Sequence, residues 1–375
     1  MVAVKYTGPM SSVSGYGEAN RTFVKALHVA GVDVTTEFIY FDNNTQNYFG
    51  ETYNLCEKLR DRKVDYKIKV IHTPCDSYQK YLEPCKYHIG HLFWETSAMS
   101  KEWVWNCNLL DEIWTGSKHN ADVFRKSGVK CPIYEFPEVS DTSIENLRPL
   151  IGTQNFSFNE TFVFLSVFQW IERKNPQCLI KGFVDAFSDK DKVALIIKTY
   201  RDNGDQKEQN LFINQIKKWG SEVKGGHYPR VMLVTKYLDK DKLNRLMKTA
   251  DVFVLPHRGE GWGRPISEAM SFGTATMATK WGGVHDWLPD DTYYPLKFNL
   301  INVFGMDWAP WYKEDQLWAD VDYKHLSERM RFAYENKEET KKRGERGMEF
   351  VKQKFSYETV GEAMKQRLLQ ISKKL

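Results

Sequence analysis

Residues 250–268 read Ala250-Asp251-Val252-Phe253-Val254-Leu255-Pro256-His257-Arg258-Gly259-Glu260-Gly261-Trp262-Gly263-Arg264-Pro265-Ile266-Ser267-Glu268. The apolar run up to Pro256 has the length of a buried strand, and Pro265, a favoured first-turn proline, opens a helix that Gly273 ends. Three glycines between strand and helix let backbone come close to a ligand, and the helix start offers free N–H groups and a partial positive charge to a phosphate. Two carboxylates flank the loop. One of Glu260 and Glu268 can face a ligand near the phosphate while the other reaches a neighbouring hydroxyl. The competing reading is a glycine-rich turn in which Glu268 only complements the helix dipole.

The same alternation extends outward. In the second half, strands are predicted at 161–167, 193–199, 231–235, 251–256 and 274–279, with helices from Asn175-Pro176, near 206–219 and near 240–249. In the first half a strand at 2–6 leads into a loop with Gly15-Tyr16-Gly17 and a helix closed by Gly31. Strands follow at 32–38, 68–72, 88–93, 112–115 and 133–136, and Ser117 caps a helix running to about 126. Alternating strands and helices predict an α/β fold of two Rossmann-like, doubly wound parallel-sheet domains facing a cleft. The polar, turn-rich stretch 137–159 divides them into residues 1–140 and 141–356, with a site expected between. Residues 357–372 place Val360, Ala363, Met364, Leu368, Leu369 and Ile371 largely on one stripe of a helix.

Composition fits a folded chain: 375 residues with 22 Phe, 19 Tyr and 12 Trp, and a net charge of only +4, which by itself points to no nucleic-acid or membrane partner. Six cysteines without a C-x-x-C pair predict reduced, buried thiols and a cytoplasmic protein, and no stretch is apolar enough for a signal peptide or a membrane span. The N-x-[ST] strings at Asn43, Asn155 and Asn159 are then expected to stay unglycosylated.

Glu260 and Glu268, with Gly261, Gly263, Pro265, Ala269-Met270 and Gly273, resemble the glutamate-pair motif of the family 4 retaining glycosyltransferases of GT-B fold, the glycosyl transferases group 1 type. Ala250 to Pro256, Trp281-Gly282-Gly283, Arg173-Lys174 and Phe93-Trp94-Glu95 extend the resemblance over most of the chain. It implies that Glu260 lies against the donor sugar, that Glu268 holds the ribose hydroxyls of a nucleotide, and that backbone amides from Gly261, Trp262, Gly263 and Arg264 meet the sugar and diphosphate. The family's basic pair is an Arg followed five residues on by a Lys. Lys174 matches the Lys, Gln169 stands in place of the Arg, and Arg173 or Arg264 is left to supply that charge. Glu260 and Lys174 are thus the expected catalytic residues, with Lys174 and the helix dipole stabilising the departing phosphate.

Gly15 and Gly17 are expected to approach the donor phosphates, and Lys198 is a phosphate contact or a snorkelling lysine. His91 and Glu95 are the residues for acceptor or sugar contact, His91 having a structural role as its alternative. The resemblance further implies front-face retention with no protein nucleophile, no metal and no cofactor, and a C-terminal helix, about 357–375, packed back on the first domain. The expected function is transfer of a sugar from a nucleoside-diphosphate sugar to an acceptor hydroxyl. The acceptor stays open among a glycan, a lipid-linked sugar, a small molecule and a modified nucleic acid, and peripheral membrane contact stays open with it.

Other readings are a NAD-dependent oxidoreductase and a non-catalytic nucleotide- or glycan-binding homologue. The first rests on the incomplete fingerprint Gly15-x-Gly17, which lacks its third glycine at Asn20, with Glu37 as the ribose acid. Asp189/Asp191, Asp239/Asp241 and Asp320/Asp322 repeat an Asp-x-Asp spacing used for metals elsewhere, but aspartate is also a good helix cap. The lysine-rich stretches 236–248 and 337–346 are expected to be solvated helix faces.

Overall fold

The computed structural model describes residues 2–40, 50–141, 152–153, 156–202, 204–225 and 228–375. It forms two compact units: Met1–Asp141 with Trp311–Gln316 and Lys352–Leu375, and Thr142–Pro310 with Leu317–Val351. Much of the expected boundary stretch, along with Asn43 and Asn155, lies outside the described residues. The insertion of Trp311–Gln316 into the first unit was not foreseen, because a short polar and aromatic segment carries no periodicity that assigns it to either half.

The first unit contains β1 (Ala3–Gly8), α1 (Gly15–Val29), β2 (Asp33–Phe38), α2 (Gly50–Lys58), β3 (Ile68–Ile71), β4 (Tyr87–His91), α3 (Lys101–Cys107), β5 (Glu112–Thr115), α4 (Lys118–Ser127) and β6 (Ile133–Glu135). Its sheet runs β2-β1-β3-β4-β5-β6, all parallel. Helix α1 begins earlier than expected. Ser14 is extended and its hydroxyl accepts the Gly17 N–H, so Gly15 and Gly17 stand in the first helical turn and not in a loop before it. Helix α2 escaped the sequence reading because only Tyr53 and Cys56 of its nine residues are buried.

The C-terminal helix (Tyr357–Ser372) closes this unit, burying Val360, Met364, Leu368 and Ile371 in one cluster with Phe23, Leu27 and Val34. Gly361 makes the crossing close: a Cβ there would lie 2.1 Å from the Ala26 carbonyl oxygen of α1. Arg367 on the same helix reaches Glu112, a fully buried carboxylate of β5 that also accepts Tyr87 Oη at 3.0 Å and Trp114 Nε1 at 2.7 Å.

The second unit opens with a small antiparallel pair, β7 (Gly152–Thr153) and β8 (Phe156–Ser157). Then follow β9 (Phe162–Gln169), α5 (Pro176–Ala186), β10 (Val193–Tyr200), α6 (Gln206–Lys224), β11 (Arg230–Val234), α7 (Lys240–Thr249), β12 (Val252–Leu255), α8 (Arg264–Ser271), β13 (Ala275–Thr279), α9 (Gly283–Trp287) and β14 (Tyr293–Leu296). The parallel sheet runs β11-β10-β9-β12-β13-β14. Counted from β9 this is 3-2-1-4-5-6, so the winding reverses between β9 and β12, where ligands bind at the strands' carboxyl ends. Leu195 to Ile197 and all of β12 are buried, the continuous apolar runs that a sheet covered on both faces requires. An antiparallel ribbon of β15 (Phe298–Asn302) and β16 (Leu317–Val321), then α10 (Tyr323–Glu335) and α11 (Lys337–Lys354), lead on to the C-terminal helix. The ribbon was not anticipated, since its exposed Asn299 and Asn302 blur the alternation.

All six cysteines are free thiols. Among the described residues no helix is long and apolar enough to cross a membrane.

Candidate active site

At the winding reversal of the second unit the loops after β9 and β12 meet. Lys174, in a short turn after β9, donates to Glu260 Oε1, and Arg173 lies 3.6 Å from the same oxygen while donating to the Gly259 carbonyl at 2.8 Å. Asn175 follows in the left-handed conformation and accepts the Cys178 N–H, which ends the turn and starts α5 at Pro176. Glu260 is 7% exposed. Burial works to raise its carboxyl, but Lys174, Arg173 and His257 beside it hold it below the usual glutamate range. The Gly283 N–H binds the Glu260 carbonyl at 2.9 Å, so the start of α9 fixes the loop from the far side.

Helix α8 begins at Gly263, which no side chain caps and which has φ +83°, where an L residue is strained; an added Cβ would also meet Val284 at 2.8 Å. One turn in, Glu268 Oε1 accepts both Arg264 and Lys240, each at 3.0 Å. Both bonds use the same oxygen and leave Oε2 outside them. Lys240 corrects the reading of 236–248 as merely solvated, and Lys248 adds to that by donating to the Phe272 carbonyl at 2.9 Å.

Gln169 ends β9 with its amide on the Arg201 carbonyl at 2.9 Å. Lys198, two residues from the end of β10, is 9% exposed. The Glu208 carboxylate, in the first turn of α6, accepts the N–H groups of Arg201, Asp202 and Gly204, so the loop after β10 wraps it in the manner of an anion-binding turn. Nothing in the sequence announced Glu208, nor Arg258, a buried guanidinium between Asp320 at 2.9 Å and Glu172 at 3.2 Å. Of the Asp-x-Asp pairs, Asp191 holds Arg331, Asp239 and Asp322 cap α7 and α10, and Asp320 holds Arg258.

Two expected contact residues turn inward. Trp262 is 2% exposed and stacks on Trp287 at 4.9 Å, so only its backbone is offered to a ligand. His91 is fully buried in the first unit, stacked on His72 at 4.3 Å with Tyr6 Oη 3.3 Å from its Nδ1. Its apolar surroundings favour the neutral ring, which makes a packing role the physical reading. Glu95 accepts Tyr312 Oη at 2.9 Å, Tyr312 stacks on Trp94, and Thr96 donates to the buried Gln316, so Trp311–Gln316 is built into this face of the first unit. Glu37, the ribose acid of the dinucleotide reading, is engaged by Thr7 at 2.7 Å and Lys69 at 2.9 Å.

Burial pushes His91 and His257 each down to about 3. Depressed values mean that the unfolded chain binds more protons, so their contribution to stability is complete above about pH 6.5 and is lost as pH falls towards 3. Urea midpoints measured through that window should fall with acid, and His91→Asn should flatten the slope.

A cavity of about 440 Å³ lies at the other end of the second sheet, at the amino ends of β9, β10 and β11, lined by Glu160, Lys192, Tyr228 and Arg230 among others. It shares no residue with the Lys174–Glu260 cluster.

Residues 159–294 match the family model described as glycosyl transferases group 1. The matched span lies wholly within the second unit. It contains Gln169, Arg173, Lys174, Lys198, Glu260, Arg264 and Glu268. Mannosylfructose-phosphate synthase of Agrobacterium fabrum is 30% identical over 149 residues, which is 40% of this chain and 30% of that protein's length. Among solved structures, Anabaena HepE in complex with UDP and glucose matches with a TM-score of 0.70 at 13% identity, over 99% of this chain and 100% of that one. Sucrose-phosphate synthase from Thermosynechococcus elongatus matches over the whole of both chains, with a TM-score of 0.73 at 14% identity. These likenesses show the GT-B fold.

Proposed function

We propose that this protein is a retaining glycosyltransferase that moves a sugar from a nucleoside-diphosphate sugar to an acceptor hydroxyl without a metal ion. The observation that carries the reading is the Lys174–Glu260 pair at the reversal between β9 and β12. Breaking the bond between sugar and diphosphate loads negative charge on the leaving group. Lys174, Arg173 and the uncapped start of α8 are preorganised cationic groups that stabilise that charge where it develops. Glu260, held ionised by its neighbours, turns to the donor sugar as Lys174 shifts to the diphosphate. Glu268, its Oε1 pinned by Arg264 and Lys240, offers Oε2 to ribose hydroxyls. The leaving phosphate takes the acceptor proton, so no side chain is assigned as nucleophile, and the Glu260/Glu268 pair does not act as the two carboxylates of a glycoside hydrolase.

Acceptor contact is assigned to Glu95 in the first unit, where Tyr312 orients the carboxylate. Support for the donor class comes from the neighbour that holds UDP and glucose. Incubation with labelled UDP-, GDP- and ADP-sugars in EDTA should release sugar, to an added acceptor or slowly to water. The product anomer, read by NMR before mutarotation, should keep the donor's configuration. Inversion, or activity that appears only with added magnesium or manganese, would overturn the retaining, metal-independent reading.

A further inference from the structure

The carboxyl-end loops of the second sheet hold several cations, and the chain pairs most of them with its own carboxylates. Lys174 and Arg173 meet Glu260, Arg264 and Lys240 meet Glu268, and Arg258 meets Asp320 and Glu172. Lys198 is different. It is nine-tenths buried and makes no hydrogen bond or ion pair among the described residues. Among the described residues its aromatic neighbour is Tyr200, whose ring lies 5.7 Å from its Nζ. An ammonium withdrawn from water without a counter-charge is costly, and an anion arriving beside it relieves that cost.

The sheet register says where such an anion would sit. Lys198 pairs with Val167 and Tyr200 with Gln169 across parallel strands, and side chains alternate along a strand, so these four share one face at the carboxyl ends of β9 and β10. Gln169 brings no charge to that face, and its amide is spent on the Arg201 carbonyl. The N–H groups of Arg201, Asp202 and Gly204 are spent on Glu208. An anion at this edge therefore finds Lys198, and neither the neighbouring side chain nor those amides.

We propose that Lys198 is a phosphate-binding residue for the diphosphate of the nucleotide donor, standing one strand away from the neutral Gln169. This rests on the glycosyltransferase reading above. Burial alone pulls the lysine down to about 8; Val167 and Val234 face it from β9 and β11, Tyr200 is the titratable group against it, and no carboxylate among the described residues pairs with it. A bound diphosphate restores the charged form. Binding near pH 8 then takes up a proton, and affinity falls as pH rises past that value.

The test is calorimetric titration of UDP, GDP and ADP, and of the nucleoside alone, into the unaltered chain, Lys198→Met and Glu268→Ala. Lys198→Met should weaken the preferred diphosphate about tenfold, the scale of one charge-assisted contact, and leave the nucleoside unchanged. Adding Gln169→Arg to Lys198→Met should recover affinity by returning a cation to the same face. Equal losses for diphosphate and nucleoside, or none for either, would overturn the assignment. Should Lys198→Met not fold, the unaltered chain decides: titration near pH 8 in buffers of different ionisation heat must show proton uptake, and its absence overturns the proposal. If a diphosphate binds and Glu268→Ala weakens it while Lys198→Met does not, Lys198 alone is misassigned. If no nucleoside diphosphate binds the unaltered chain, the glycosyltransferase reading falls too.

Discussion

Glu260→Gln is expected to lower turnover about 10²–10³-fold, the range for removal of one preorganised charge contact at a reacting centre. The affinity for nucleoside diphosphate should hold or rise. Glu260 occupies Lys174 and draws on Arg173, so on the proposed reading it competes with the diphosphate for both cations. Removing its charge should free them for ground-state binding while taking away the group assigned to the sugar as its bond breaks. Opposite movements of kcat and Kd separate this role from simple damage to the fold, which would weaken both. A variant that turns over normally would remove Glu260 from the chemistry.

The second large effect concerns stability. Arg367→Met should destabilise the protein by about 3–5 kcal/mol, because it strands the Glu112 carboxylate inside the first unit with, among the described residues, only Tyr87 and Trp114 as partners. Glu112→Gln in the same background should return part of that loss, since the neutral amide still bonds both partners without an unpaired charge. Urea denaturation of the single and double variants measures both changes. A loss below about 1 kcal/mol for Arg367→Met, the level of an exposed pair, would show that water reaches Glu112.

The fold was readable where one periodicity ruled. The apolar run of β12, the proline at the start of α8 and the Asn175-Pro176 start of α5 each combine a packing signal with a local backbone rule, and the structure places those elements within a residue or two of the expectation. Reading failed where a signal was short or non-local. Trp311–Gln316 joins the first unit through Tyr312 on Trp94 and Gln316 on Thr96, contacts between residues more than 200 positions apart that no window along the chain can display.

The site divides in the same way. Glu260, Glu268 and Lys174 stood out because residue type and spacing carry chemistry in themselves. Lys240 looked like one more lysine of a solvated face, and only the packing of α7 beside α8 brings it to Glu268. His91 and Trp262 carry suitable chemistry at suitable positions, yet their rings face the interior. Sequence gives the strand and the loop but not the rotamer.

The most direct measurement is calorimetric titration of UDP, GDP, ADP and NAD, in EDTA, into the unaltered chain and Glu268→Ala. A nucleotide-sugar transferase built on this loop should bind one nucleoside diphosphate without metal and lose at least about tenfold in affinity when the Glu268 carboxylate is removed. Binding of NAD alone, or of a nucleoside diphosphate indifferent to Glu268, would contradict it.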